Sequence, residues 1–200
     1  MIEVYADVVC PFTHVGLRRL VAARRELGRD DAFRIRAWPL ELVNGAPLAS
    51  ELVVEEVGEL HRLVAPELFA GLDARAFPTT SLPALALAAS AYRQDMRTGE
   101  SVSLALRDAL FERGEDISDP GVLAALADAH GVAAPGPDAA ELVLAEWAEG
   151  QTRGVIGSPH FFVSGRDFFC PALDITRVDG HLRISADVEG FAEFIASCFA

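Results

Sequence analysis

From Ile2 to Val9, apolar Ile2, Val4, Ala6 and Val8 alternate with Glu3, Tyr5 and Asp7. That two-residue period predicts a first strand with one face turned to a core. Pro11 suits a first helical position, and Val15, Leu17, Leu20, Val21 and Leu27 recur at helical spacing until Gly28 interrupts them. A helix is therefore predicted between the two punctuating residues. Phe33, Ile35 and Ala37 then alternate with Arg34 and Arg36, predicting a second strand closed by Trp38 and Pro39. Strand, helix, strand in this order implies a right-handed parallel unit.

After Pro39 the apolar period turns helical, with breakers at Pro66, Pro78, Pro83, Gly99, Gly114, Pro120, Gly131, Pro135 and Pro137. Five helices are predicted, roughly Ser50 to Ala65, Ser81 to Arg97, Glu100 to Arg113, Pro120 to His130 and Pro137 to Gln151. Strands resume at His160 to Val163 and Arg166 to Phe169, joined by Ser164-Gly165 in a tight hairpin. A second hairpin is predicted where Ile175 to Val178 and His181 to Ile184 flank Asp179-Gly180. The tail from Asp187 is helical, with Phe191, Phe194, Ile195 and Cys198 on one stripe. The opening strands can join the late ones in one sheet only if the chain returns, so the helical block reads as an insertion in an α/β domain.

Composition sharpens this picture by exclusion. The 200 residues are 51% hydrophobic and 24% charged, a balance that suits a packed globule and not a disordered chain. With 17 basic against 30 acidic residues the net charge is −13, which disfavours nucleic acid and anionic membrane surfaces as partners. Every basic residue is arginine, so Schiff-base chemistry, a pyridoxal cofactor and a Walker-type phosphate loop are excluded. The opening residues lack the basic start and apolar stretch of an export signal, and the expected location is the cytoplasm. Three cysteines, Cys10, Cys170 and Cys198, cannot all pair within one chain, so free thiols are expected.

Cys10 stands at the junction of the first strand and first helix. If Pro11 is the first helical residue, Cys10 is the N-cap, and its sulfur faces the unpaired amides of Phe12 and Thr13. The positive end of a helix favours an anion there, so the Cys10 thiol is expected to ionise below the ordinary cysteine value of about 8.5. The alternative is a small buried residue ending a strand. Likewise, Gly157-Ser158-Pro159 before an apolar strand could expose backbone groups to an extended partner, or be a rigid turn only.

The segment Asp7-Val8-Val9-Cys10-Pro11-Phe12-Thr13-His14-Val15-Gly16 resembles the active-site segment of DsbA-type thioredoxin-fold proteins, above all the FrnE-like branch, where the usual reading is Cys-Pro-Trp-Cys. Gly154 to Val163, with Ser158-Pro159 inside it, resembles that fold's proline loop, whose proline is cis in the family and faces the reactive cysteine. Asp116 to Leu123 with Leu126-Ala127 resembles the branch's helical insertion. The likeness runs to about Phe169, and the Asp179-Gly180 hairpin departs from the simplest family plan. It implies a thioredoxin-like domain over 1–75 and 137–200 and a helical insertion over 76–136.

The resemblance implies a thiol-disulfide oxidoreductase or isomerase, with Cys10 and Thr13 as catalytic residues and Pro11, Phe12, Ser158 and Pro159 binding substrate. Thr13 stands where the family has its second cysteine. A hydroxyl cannot resolve a mixed disulfide near neutral pH, so the site would work with one cysteine, Thr13 at most donating to the Cys10 sulfur. Cys170 is a candidate resolving thiol if it returns to the same rim of the sheet, and otherwise a strand cysteine. Cys198 reads as core. His14 and His160 could support a thiolate or simply be packed. Nothing near Cys10 and His14 completes a metal-ligand set, and no metal is expected. The stretch Glu51 to Glu59 reads as a solvated helix face, and Trp38 to Glu41 as cleft lining or core.

No tightly bound cofactor is expected, only a low-molecular-weight thiol as co-substrate. Partners are a disulfide-containing protein or a small thiol, and the fold's habits allow a homodimer. Two other functions share this architecture. One is a thiol-dependent isomerase or transferase similar to 2-hydroxychromene-2-carboxylate isomerases and kappa-class glutathione transferases, which place serine at the Cys10 position. The other is a non-catalytic interaction module that lost its second cysteine.

Overall fold

The computed structural model describes residues 1–136, 138–179 and 181–200. Its central sheet has the order β2-β1-β3-β4, from β1 (Ile2–Ala6), β2 (Arg34–Ala37), β3 (His160–Val163) and β4 (Arg166–Phe169). β1 runs parallel to β2 and antiparallel to β3, so Val4 lies between Ile35 and Phe161, and β3 pairs antiparallel with β4. Helix α1 (Pro11–Glu26) makes the crossover between β1 and β2. The predicted parallel unit and the return of the late hairpin to the same sheet are both present.

β1 ends at Ala6, three residues before the alternation does. The Asp7 carboxylate accepts the Val9 N–H at 3.2 Å and bends the chain off the sheet, as a short acidic side chain does at a turn. Its other oxygen accepts the Leu40 N–H at 2.6 Å, at the start of the short, unpredicted α2 (Leu40–Asn44). The helical block continues as α3 (Ser50–Leu63), α4 (Leu82–Gln94), α5 (Met96–Arg113), α6 (Pro120–Ala129) and α7 (Ala139–Thr152). A break predicted at Gly99 does not occur. Asp95 caps α5 by accepting the Thr98 N–H, and Gly99 lies inside the helix, where a Cβ would sit 2.2 Å from the Tyr92 ring. That glycine makes room for packing instead of stopping a helix.

Helices α4, α5 and α7 seal the open edge of the sheet. On the outer side of β2, the N–H groups of Phe33, Ile35 and Ala37 find Glu100, the Tyr92 hydroxyl and Glu146, at 2.9, 2.9 and 2.8 Å. An edge strand that would otherwise offer unpaired amides is thereby closed by α4, α5 and α7. One face of the sheet (Ile2, Val4, Ala6, Ile35, Phe161) packs with Leu17 and Leu20 of α1 and with Phe194 of α8 (Val188–Phe199). On the other face, Tyr5 and Trp38 pack against α7 at Gly150, where a Cβ would lie 2.8 Å from the indole. β5 (Leu173–Val178) and β6 (His181–Ala186) form their own antiparallel ladder beside α3. The predicted start of α7 at Pro137 and the Gly180 turn residue lie outside the described residues.

Candidate active site

Cys10 is the N-cap residue of α1, in extended conformation, followed by Pro11 as the first helical residue. This is the placement that the strand-to-helix switch predicts. The sulfur, however, is buried, with 3% of the residue exposed, and closes no hydrogen bond onto the helix start. Instead Cys10 Sγ donates to the Ser158 carbonyl at 3.2 Å. Burial pushes the thiol above its ordinary value, the Thr13 and Ser158 side chains pull the other way, and the Glu56 charge, the weakest of these influences, adds to the push. The expected lowering of the Cys10 value is therefore corrected. Desolvation outweighs the helix start, because a sulfur facing a carbonyl in a dry site is favoured as the neutral thiol.

Two buried hydroxyls stand beside that sulfur. Thr13 Oγ1 and Ser158 Oγ lie 2.9 Å apart, and Ser158 Oγ also accepts the Asp7 N–H at 2.9 Å. With Asp7 occupying one acceptor position, the two hydroxyl protons can be shared between each other and Cys10. The pair can thus rotate to donate to a sulfur anion. The Ser158-Pro159 peptide is cis, and the Pro159 ring faces α1, with its Cγ 3.9 Å from where a Cβ on Gly16 would sit.

Beneath the site lies charge that sequence reasoning missed. Arg107 of α5 is 1% exposed and donates to the Asp7 carbonyl at 3.2 Å and to both Ser103 oxygens. Burial lowers it to about 10, with Asp7, Tyr92 and Cys10 holding it up, so it stays protonated at neutral pH. The buried Asp7 carboxyl is raised by desolvation and pulled down by the Leu40 and Val9 N–H groups and the Ser81 hydroxyl. The visible sign in the sequence is Ser103 and Arg107 one turn apart on the buried stripe of α5.

Cys10, Pro11, Phe12 and Ser158 share the wall of a cavity of about 320 Å³ with Leu40 and Glu56. Leu48, Phe169, Cys170 and Ile175 line it as well. Cys170 directly follows β4, is buried, and its N–H donates to the Pro159 carbonyl at 3.0 Å. Burial pushes its thiol up to about 12, with Cys10 adding to the shift. All three cysteines are free, and Cys198 is half-buried against the α8 face of the core.

Glu56 was missed in the acidic run Glu51 to Glu59, which otherwise reads correctly as largely exposed. It lies one turn from both Val53 and Leu60, which are buried, and that spacing was the available signal. Trp38 is buried with Tyr5 and Val155 and does not line the cavity, whereas Leu40 does. His14 is buried and bonded through Nε2 to Glu112 at 2.7 Å, and His160 Nε2 faces Asp167 at 3.1 Å. Among the described residues there is no cluster of three or more metal-ligating side chains and no helix long and apolar enough to cross a membrane.

The family described as the DSBA-like thioredoxin domain matches residues 1–183. The chain belongs to that family. No curated protein matches it. Among solved structures, this DSBA-like domain resembles a candidate protein disulfide isomerase from Nitrosomonas europaea at TM-score 0.64 and 13% identity, covering 98% of this chain and 95% of that one. A 2-hydroxychromene-2-carboxylate isomerase aligns at TM-score 0.61 and 14% identity, covering 84% and 87%. The cytosolic disulfide reductase DsbM from Pseudomonas aeruginosa, solved with GSH, aligns at 0.57 and 21% identity, again covering 84% and 87%. At these identities the likeness is one of fold.

Proposed function

We propose that this DSBA-like domain is a single-cysteine thiol-disulfide oxidoreductase in which Cys10 forms the mixed disulfide and a low-molecular-weight thiol releases it. The observation that carries the reading is Cys10 at the start of α1, against the Ser158-Pro159 loop, with Thr13 where a resolving thiol would stand. The Cys10 sulfur attacks one sulfur of a substrate disulfide, and the other leaves as a thiolate. A second thiol then attacks the mixed disulfide and returns Cys10 as a thiolate. The Thr13 and Ser158 hydroxyls and the buried Arg107 cation stabilise negative charge on Cys10 whenever it forms. Pro11, Phe12, Ser158 and Pro159 hold the substrate against it.

In this reading residues 1–75 and 137–200 form the exchange domain and 76–136 the helical insertion. A protein disulfide or a small thiol is its partner, and two copies could act as a homodimer. Three free cysteines fit a reducing compartment such as the cytoplasm. The reductase solved with GSH agrees with a small-thiol co-substrate.

A second reading, a thiol-dependent isomerase or transferase, is favoured by one observation. Ser158 lines an apolar cavity and its hydroxyl is bonded to that of the buried Thr13, so Ser158 could hold the sulfur of a bound thiol there. The deciding assay is reduction of a small mixed disulfide by a low-molecular-weight thiol. Thiol exchange at Cys10 requires that Cys10→Ser abolish turnover. Turnover that survives Cys10→Ser overturns the reading in favour of the second, and native protein with no turnover at all leaves a non-catalytic module.

A further inference from the structure

The cavity that exposes Cys10 is walled mainly by carbon, from Pro11, Phe12, Leu40, Leu48, Phe169 and Ile175. Into it α3 brings a carboxyl. Besides the two thiols, Glu56 is the ionisable side chain among the residues that line this space. It is half-buried, while its neighbours Glu55 and Glu59 line a different groove towards β5 and β6. Glu56 and Cys10 line the same space, and the Glu56 charge adds a small push to the rise of the Cys10 thiol.

Thiol exchange in such a cavity has a proton problem. The resting Cys10 is a thiol donating to a carbonyl, and the nearby hydroxyls of Thr13 and Ser158 can pass a proton along but cannot keep one at neutral pH. A base is needed when Cys10 attacks and an acid when the departing sulfur leaves. We propose that Glu56 is the proton acceptor and donor of this cavity, taking the proton from Cys10 as it attacks and returning it to the leaving sulfur. The inference deepens the thiol-exchange reading above and rests on it.

The balance is complete in two steps. Cys10–SH and Glu56–COO⁻ react with R–S–S–R′ to give Cys10–S–S–R, R′–SH and Glu56–COO⁻, the proton passing through Glu56–COOH. A low-molecular-weight thiol G–SH then attacks the mixed disulfide. It forms G–S–S–R, and its proton passes through Glu56 to Cys10. The electron pair of each broken S–S bond leaves with the departing sulfur, and G–SH is the reductant.

The surroundings suit the role. Burial raises the Glu56 carboxyl to about 7, opposed by Arg177 of β5 and assisted by Glu55 of its own helix. Cys10 and Cys170 are the other titratable groups on the cavity wall, and both are raised. An acid that titrates near neutral pH can both give and receive a proton there.

The test exploits two readouts that a bystander carboxylate would move in the same direction. Removing a negative charge near Cys10 favours its thiolate, so the pH midpoint of Cys10 alkylation by iodoacetamide, which reports the thiolate fraction and not the speed of proton transfer, should not rise in Glu56→Gln. If Glu56 shuttles protons, the same variant should lose about a hundredfold in kcat/KM for mixed-disulfide reduction, the lower end of what a positioned general base supplies. The rising limb of kcat/KM through pH 7 should vanish with it, and Glu56→Asp should restore part of that limb. Glu51→Gln, an exposed acid at the start of the same helix, serves as the control. Unchanged turnover in Glu56→Gln, or turnover rising together with alkylation, overturns the proposal. If Cys10→Ser abolishes turnover while Glu56→Gln matches the native protein, only the role of Glu56 falls. If Cys10→Ser retains turnover, the thiol-exchange reading falls as well.

Discussion

Replacing Glu112 by glutamine tests how the floor of the site is held. Glu112 ends α5 as a three-way acceptor, taking His14 Nε2 at 2.7 Å and the Phe69 and Ala70 N–H groups at 3.0 and 3.3 Å. It thereby ties the first turn of α1 to the loop after α3, where Phe69 takes a positive φ of 71° and stacks edge-on against His14 and Phe111. Burial would raise this carboxyl, but the bonds from His14, Phe69 and Ala70 prevail and bring it from 4.5 to about 2. Bringing the carboxyl from 4.5 to about 2 corresponds to roughly 3 kcal/mol at ~1.36 kcal/mol per tenfold change, and solvent screening of the part-exposed carboxylate reduces this to about 2 kcal/mol. Because the folded value is depressed, this stability is fully present above pH 4.5 and is lost as pH falls towards 2. His14, lowered from 6.5 chiefly by burial, acts in the same sense. The unfolded chain binds its proton first, so stability begins to decline as pH falls below 6.5. Urea midpoints followed by tryptophan fluorescence from pH 7 to pH 3 would measure both effects. Glu112→Gln should be less stable by about 1–2 kcal/mol at pH 7, and by pH 3 roughly half of that gap should be gone, since the folded carboxyl takes its proton only towards pH 2. Two curves that stay parallel over the whole range would refute the reasoning.

Ser158→Ala removes the acceptor of the buried Asp7 N–H and the hydroxyl partner of Thr13, so it should cost about 1–3 kcal/mol and slow Cys10 alkylation at pH 8. Unaltered alkylation would show that the hydroxyl pair does not serve the sulfur. Gly150→Ala places a Cβ 2.8 Å from Trp38 and 2.9 Å from Tyr5, and the overpacking should lower the urea midpoint by about 1–3 kcal/mol. A midpoint equal to the native one would mean that α7 shifts freely on the sheet.

How much of this was readable in advance differs from element to element. The alternation from Ile2 and from Phe33 was enough for β1 and β2, and Pro11 after Cys10 was enough to start α1. Each of these depends on local backbone preference and on burial of one face. Gly99 misled for the opposite reason. Its neighbour Tyr92 is on another helix, and only packing shows why the side chain is missing. Glu56 read as one more acid on a wet face, because one helix's periodicity does not say which edge of the stripe another part of the chain will cover.

The amino-acid sequence by itself determined the α/β class, the inserted helices and the sulfur at a helix start, since periodicity and punctuation act over a few residues. Only the tertiary structure decided the state of that sulfur. Whether a thiol is drawn towards its anion or held as a neutral group depends on how dry its surroundings are and which dipoles face it. Here those surroundings come from Ser158, Glu56 and Arg107, which lie 148, 46 and 97 residues from Cys10 along the chain.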